Sequence, residues 1–478
     1  MEKRYFFGVD VGTQGARIVL VDQLGELVAS EAQKFELSDT FRQEQSPLIW
    51  WTKTMEMLSS LTAELPTWVD KSDICAISVT STSGTVIPLD KQNRPIHDAL
   101  MYSDPRSAAQ GERCQEIAKR YVKHGYTGFN ASSGISKMCW FVDTFPERVD
   151  DIALWIHASD YIVGQLSGNY HMTDYTNVLK SGYDLETLEW PSFVCEELGL
   201  KRSWLQDIMP SGTVVGTLLP HLATALGLGE IAVVVGMTDG CATQMASGAV
   251  KPGDWNTTIG TTLVIKGVTQ KNVIDPSGTV YSHRHPEGYW MPGGASNTGA
   301  DWITIDFSDD LESLTIAAEA LIPTGELAWP LRQEGERYPI MAPKARGFMP
   351  EGISRELLFA ANLEGVAFIE RLAYEMIEAL SGEHVQAVYS AGGGSNSDVW
   401  LAMRASILNV PVYKCKEASG AFGAAIMAAS HTYYDSLIAA AAAMTTIEKE
   451  VLPNPRLQPM YAQQYQCFKN KLKDLNYI

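Results

Sequence analysis

The feature that most constrains this chain is a loop that occurs twice. Near the start, the apolar run 5–9 ends in Asp10-Val11-Gly12-Thr13-Gln14-Gly15, and a second apolar run, 17–21, follows at once. In the second half, residues 255–259 lead into Gly260-Thr261-Thr262 and then into 263–268. Each time, two short apolar runs joined by a glycine–threonine turn read as a β-hairpin. That pattern is not a strand–helix–strand unit. It is not the dinucleotide-binding fingerprint either, because Gly8, Gly12 and Gly15 lack its spacing and a strand follows them. The same device in each half argues for duplicated domains.

The remaining pattern is mixed α/β. Asp22-Gln23-Leu24-Gly25 carries turn chemistry before a third strand at 26–32. Further strands are predicted at 74–80, 233–235 and 385–390. Helical spacing covers 49–65, 108–123, 137–145, 190–200, 357–380, 400–408 and 421–429. The strongest boundary lies near 229–236, giving domains 1–235 and 236–478. A chain of 478 residues allows two to four domains at about 100–200 residues each.

Charge removes some function classes. Lys and Arg total 37 against 56 Asp and Glu, a net charge of −19. A nucleic-acid partner is therefore not expected, since duplex binding needs a basic face. A small anion remains compatible, because helix N-termini and a metal supply local positive potential. The seven cysteines form no C-x-x-C pair, which fits a reduced, cytoplasmic protein without zinc. No signal peptide or membrane partner is expected, as no apolar run nears the ~18 residues of a span. His283 and His285 read as surface or loop residues, and the tryptophans as core.

Four segments carry candidate chemistry. In the first, Gly12, Thr13 and Gln14 can close backbone N–H groups on a phosphate, and Asp10 can bind Mg²⁺; taken alone, a capped hairpin turn is the commoner explanation. In the second, Asp239 follows the buried run 233–235, where a general base, a metal ligand or a helix N-cap would sit. Gly260 and Thr261 form a second phosphate-loop candidate, against a plain turn. Finally, Gly392, Gly393 and Gly394 precede Ser395-Asn396-Ser397, as a bare backbone against adenosine or a tight strand–helix turn would require. There is no P-loop, His-Glu-x-x-His or Gly-x-Ser-x-Gly motif.

Taken in order, these segments resemble the FGGY carbohydrate kinases. The stretch GVDVGTQGARIVLVD (8–22) is similar to the family's first phosphate segment. SDYIVGQLSGNYHMTDYTNVLKSGYDLETLEWP (159–191) resembles its mid-domain stretch, and VVGMTDGCATQMASGAVKPGDWNTTIGTT (234–262) its catalytic-Asp and second phosphate segments. LLFAANLEGVAFIERL (357–372), SAGGGSNSDVWLAMRASILNVPV (390–412) and EASGAFGAAIMAA (417–429) follow in the family's order. Val366 departs from it, standing where a small residue is usual.

The resemblance implies two actin-like, ribonuclease H-like domains with a central cleft whose closure would exclude water. It implies ATP and Mg²⁺ as cofactors and a small sugar as partner, and leaves a homodimer open. Asp239 would be the catalytic base and Asp10 the metal ligand. Gly12, Thr13, Gln14, Gly260, Thr261, Gly393, Gly394, Asn396 and Ser397 would bind ATP; Asp10, Ser83, Gly84 and Asp239 would contact the sugar. Thr82-Ser83-Gly84-Thr85 replaces the Gln-Met-His-Gly of xylulokinases, and with Asn297-Thr298-Gly299 resembles the D-ribulose kinases, also labelled xylulose-kinase-like. A pentulose is thus expected, D-ribulose ahead of D-xylulose. Another polyol, hexulose or aldonate is the alternative within the family, and a non-catalytic actin-like ATPase the alternative outside it.

Overall fold

The computed structural model describes residues 3–478. The chain forms two compact units that are not contiguous in sequence. The first comprises Met1–Ala246, His283–Gly288 and Glu417–Thr445; the second comprises Ser247–Ser282, Tyr289–Lys416 and Thr446–Ile478. This differs from the contiguous division at 235/236. The run 233–235 ends a strand of the first unit's own sheet, so the chain cannot leave that unit until the helix Asp239–Ala246 has packed.

In the first unit, six strands lie in the order Val214–Thr217, Ala232–Val234, Ile74–Ser81, Tyr5–Val11, Gly15–Asp22, Leu27–Lys34. The last three form the antiparallel meander expected from the hairpin chemistry. The first three of the list join it through two parallel pairings and one antiparallel edge. In the second unit, Trp290–Ser296, Leu263–Gly267, Asp254–Ile259, Ala387–Ala391, Val412–Cys415 and Ile447–Val451 neighbour one another in that order. Their pairings run antiparallel, antiparallel, parallel, parallel, antiparallel. Apart from the edge strand Tyr281–Arg284, which has no counterpart, the first unit read from its meander edge repeats this pattern. The duplication suggested by two glycine–threonine turns is thus a duplication of sheet topology.

Most predicted elements form, with ends shifted by up to three residues. The long helix runs Arg355–Ser381, capped by the Ser354 hydroxyl at its start and by left-handed Gly382 at its end. Residues 190–200 depart from expectation, since only Ser192–Glu196 is helical. Pro191 opens it and Gly199, at φ +73°, closes the segment soon after. Val366 is fully buried in the second unit's core, so the larger side chain is accommodated. His283 and His285, expected at the surface, are buried. His283 lies in the strand Tyr281–Arg284, and His285 just beyond its end.

The helix Gly420–Ala429 is buried along its whole length in the first unit and packs on the Tyr5–Val11 strand and the Asp239–Ala246 helix. Glycines permit this approach. A Cβ at Gly8 would lie 1.9 Å from the Ala421 carbonyl oxygen, and one at Gly423 would lie 2.0 Å from that of Ala242. Backbone atoms cannot rotate away, so even a methyl group forces the helix off the sheet. Overpacking of this kind costs about 3 kcal/mol, or roughly 6–12 °C in a domain of this size. We therefore expect Gly8→Ala to lower the thermal midpoint by about that much, as measured by circular dichroism. An unchanged midpoint would mean that the helix does not rest on this strand.

Candidate active site

Parallel strands present their loops at their carboxyl ends, where α/β sheets form ligand sites. Three neighbouring strands of the first unit do so here. Tyr5–Val11 ends at Asp10 and Thr13, Ile74–Ser81 ends at Ser83, and Ala232–Val234 leads to Asp239. The register keeps these ends level, since Asp10 pairs with Thr80 and Ser81 bridges to Thr238. The first unit thus brings Asp10, Thr13, Ser83 and Asp239 to one edge.

Asp10 is partly buried against Gly420, the first residue of the Gly420–Ala429 helix; a Cβ on that glycine would lie 2.5 Å from Asp10 Oδ2. The carboxylate therefore sits at a helix N-terminus, which favours negative charge. Burial nevertheless pushes its pKa up to about 7, the Asp239 charge pushes the same way, and Arg17 opposes both. Asp239 occupies the first turn of its helix, with Oδ1 accepting the Gly240 N–H at 2.7 Å. The Cys241 and Ala242 N–H groups go to the Thr238 carbonyl, so Asp239 is not the N-cap of that helix.

The Gly12–Gln14 turn is braced from beneath. Gln45 Nε2 donates to the Thr13 carbonyl at 2.9 Å and to Phe41 O at 2.9 Å, while its Oε1 accepts from Trp50 Nε1 at 2.9 Å. Phe35 N–H donates to the Gln14 carbonyl at 3.0 Å. With both carbonyls engaged on the protein side, the turn is suited to offering N–H groups to an anion. A Cβ at Gly12 would meet nothing closer than Gly15 O, at 3.5 Å, so internal packing does not require a glycine there. Sequence reasoning missed Gln45, and only its place just before Ser46-Pro47, where a helix begins, hinted at it.

Around the sugar-loop candidates the two residues differ. Ser83 Oγ is buried and has no hydrogen-bond partner among the described residues. Gly84 has a structural reason of its own, because its φ is +85° and a Cβ would lie 2.3 Å from Ser132 O.

In the second unit the Gly260 turn repeats the open arrangement. Its N–H bonds to Thr262 O at 3.0 Å, and a Cβ would find no atom nearer than 4.0 Å. The Thr261 carbonyl lies against Gly299, where a Cβ would fall 2.4 Å from it. Asn297 and Thr298 are held by Glu336, which accepts from Asn297 N at 2.7 Å and Thr298 Oγ1 at 2.9 Å. Of the triple glycine, Gly392 and Gly394 pack against Ile259, whereas Gly393 has open space above it. Asn396 is exposed, and Ser397 Oγ caps the Asp398–Leu408 helix by accepting from Trp400 N at 3.2 Å.

Among the described residues no cluster of three or more His, Cys, Asp or Glu forms a metal cage. That donor set still suits Mg²⁺, which commonly takes one or two carboxylates and completes its shell with water and substrate phosphates. The mutual repulsion of Asp10 and Asp239 is what a cation there would relieve. Among the described residues no helix is long and apolar enough to cross a membrane.

Residues 5–246 match the N-terminal domain of the FGGY family of carbohydrate kinases, and residues 255–432 match its C-terminal domain. The chain belongs to the FGGY family of carbohydrate kinases, whose members phosphorylate sugars at the expense of ATP. It is 27% identical to a xylulose kinase of Bacillus subtilis (strain 168), over 99% of this chain and 98% of that one. It is 26% identical to a gluconokinase of Bacillus licheniformis, over 85% of this chain and 83% of that one. The solved structure of a ligand-bound xylulose kinase from Lactobacillus acidophilus shares the fold, with TM-score 0.85 at 23% identity, covering 99% of this chain and 98% of that one.

The Asp10 carboxyl links the site to stability. Between its ordinary value of 3.8 and about 7, the folded protein holds a proton that the unfolded chain releases. Stability is therefore lost as pH rises through that window, by at most about 4 kcal/mol. Asn cannot ionise. We expect ligand-free Asp10→Asn to melt several degrees above the wild type near pH 8, with the gap narrowing towards pH 5, in a fluorimetric melt across pH. A gap independent of pH would contradict the raised value.

Proposed function

We propose that this kinase transfers the γ-phosphoryl group of ATP to a primary hydroxyl of a pentulose, with D-ribulose favoured over D-xylulose. Ser83 carries the reading. Its buried hydroxyl lacks a partner beside two carboxylates, and an orphaned buried hydroxyl is what a sugar-binding group looks like without sugar. The xylulose kinase relatives favour a pentulose. With Ser83 and Gly84 in place of a longer side chain, selection between hydroxyl configurations is left to a short donor.

Asp239 accepts the proton of the attacking hydroxyl, and Asp10 also contacts the sugar. Mg²⁺, held at Asp10, would neutralise charge on the phosphates. The Gly12 N–H is spent within the turn on Gly15 O at 2.9 Å, so Thr13 and Gln14 offer N–H groups to the phosphoryl group beside the bare Gly12, as Thr261 does beside Gly260 in the second unit. Gly393, Gly394 and Asn396 provide a bare surface for adenosine, and Ser397 orders it through its helix cap. Phosphoryl transfer needs mainly positioning and charge neutralisation of this kind. An aldonate is the second reading, favoured by the gluconokinase relatives and by Lys180, whose Cδ lies 3.6 Å from a Cβ built on Gly84.

An ADP-release assay over D-ribulose, D-xylulose, D-gluconate, a hexulose and glycerol tests the substrate. We expect kcat/KM to rank D-ribulose first and D-xylulose second, and Ser83→Ala to raise the ketose KM while leaving that of ATP unchanged. D-gluconate in first place would establish the second reading; glycerol or a hexulose first would overturn both. Gly260→Val should raise the KM for ATP several-fold, because a branched side chain fills the open space above the turn. A change confined to the sugar KM would assign that turn to the other substrate.

A further inference from the structure

The peptide unit that precedes Asp239 is held at both of its polar ends by buried threonines. Thr80 Oγ1 donates to the Met237 carbonyl at 2.6 Å, and the Thr238 N–H donates to Thr176 Oγ1 at 2.8 Å. These are the C=O and the N–H of a single peptide bond. Both threonines are fully buried. They come from unrelated elements, Thr80 from the Ile74–Ser81 strand and Thr176 from the short helix Tyr175–Val178.

The direction of the second bond is set by a third group. Thr176 Oγ1 donates its proton to Asp174 Oδ2 at 2.7 Å. That carboxylate also accepts from Ser211 Oγ at 2.6 Å, Thr176 N at 2.8 Å, Asn177 Nδ2 at 2.7 Å and Asn177 N at 3.1 Å. Five donors leave Asp174 an acceptor, so Thr176 must give it a proton and turn a lone pair to Thr238. Burial raises the Asp174 pKa, and the bonds from Ser211 and Thr176 pull it back. A buried carboxylate without a cation is costly, more than capping one turn of helix requires.

Local backbone geometry also calls for a clamp. Val234 pairs with Ser78 while Thr238 bridges to Ser81, so the register gains a residue in between. Past this irregularity the regular ladder no longer fixes the orientation of the chain. Asp239 comes next, and its carboxylate position follows from the orientation of that peptide plane.

We propose that Thr80 and Thr176, with Asp174 behind the latter, are positioning residues that aim Asp239 by locking the Met237–Thr238 peptide. The proposal rests on the reading of Asp239 as the base. An error of about 1 Å in a reacting group can cost about a hundredfold in rate, so loss of either hydroxyl should act on kcat more than on binding.

The test is steady-state kinetics of Thr80→Val and Thr176→Val, each alone and combined with Asp239→Asn. Alone, each should lower kcat by about 10–100-fold with the KM for ATP within about twofold, and Thr176→Ser should restore most of the rate. Combined with Asp239→Asn, neither should lower the residual kcat further, because there is no base left to aim. A merely structural role would lower the rate equally in both backgrounds and would overturn the proposal, as would an unchanged kcat in the single variants. Should Thr176→Val fail to fold with Asp174 deprived of a donor, Thr80→Val decides, since it strands no charge. Asp239→Asn alone tests the base separately. If it keeps more than half of the activity, the base reading falls; if it is inactive while Thr80→Val is fully active, only the clamp falls.

Discussion

Everything at the candidate site depends on one close approach, that of the Gly420–Ala429 helix to the Tyr5–Val11 strand and the Asp239–Ala246 helix. Side chains do not separate these elements. Gly8 and Gly423 let backbone meet backbone, with the positions a Cβ would take lying 1.9 Å and 2.0 Å from carbonyl oxygens. The approach places the helix N-terminus at Asp10 and ties the strand bearing Asp10 to the helix bearing Asp239. A segment late in the sequence is therefore part of the first unit because it completes that unit's site.

The consequence is an electrostatic conflict held in place by packing. Two carboxylates share one edge of the sheet, and Asp10 responds with a raised pKa despite a favourable helix dipole and Arg17. Folding alone would not select this arrangement, since an amide at position 10 would remove the repulsion. A cation and a sugar hydroxyl make sense of it, because the one is attracted by, and the other donates its proton to, the charge that folding finds costly. In the second unit one buried charge is fully balanced. Arg404 is fully buried but fully paired, to Glu370 at 2.7 Å and 2.7 Å and to Ser390 Oγ at 2.5 Å, beneath the strand that leads to the triple glycine.

Much of this was legible in the sequence, for physical reasons. Hairpins at both glycine–threonine turns follow from short apolar runs and turn residues, and the order of segments was enough to identify the family. Local patterning could not reveal that residues 417–445 return to the first unit, which is a matter of tertiary packing through Gly8 and Gly423. Nor could it separate Gly393, open on one side, from Gly392 and Gly394, which pack on Ile259. Gln45, Thr80 and Thr176 escaped notice because each acts on a backbone group distant in sequence. The burial of His283 and His285 was hidden in and just beyond a strand that its composition does not advertise.

The proposed mechanism divides labour between the two carboxylates, Asp10 holding the cation and Asp239 taking the proton. Single-turnover phosphoryl transfer to D-ribulose, followed against Mg²⁺ concentration in Asp10→Asn and Asp239→Asn, tests it most directly. The Asp10→Asn defect should shrink as Mg²⁺ is raised, because a weakened site can be refilled by mass action, and the Asp239→Asn defect should stay constant. Equal rescue of both variants, or rescue of Asp239→Asn alone, would contradict it.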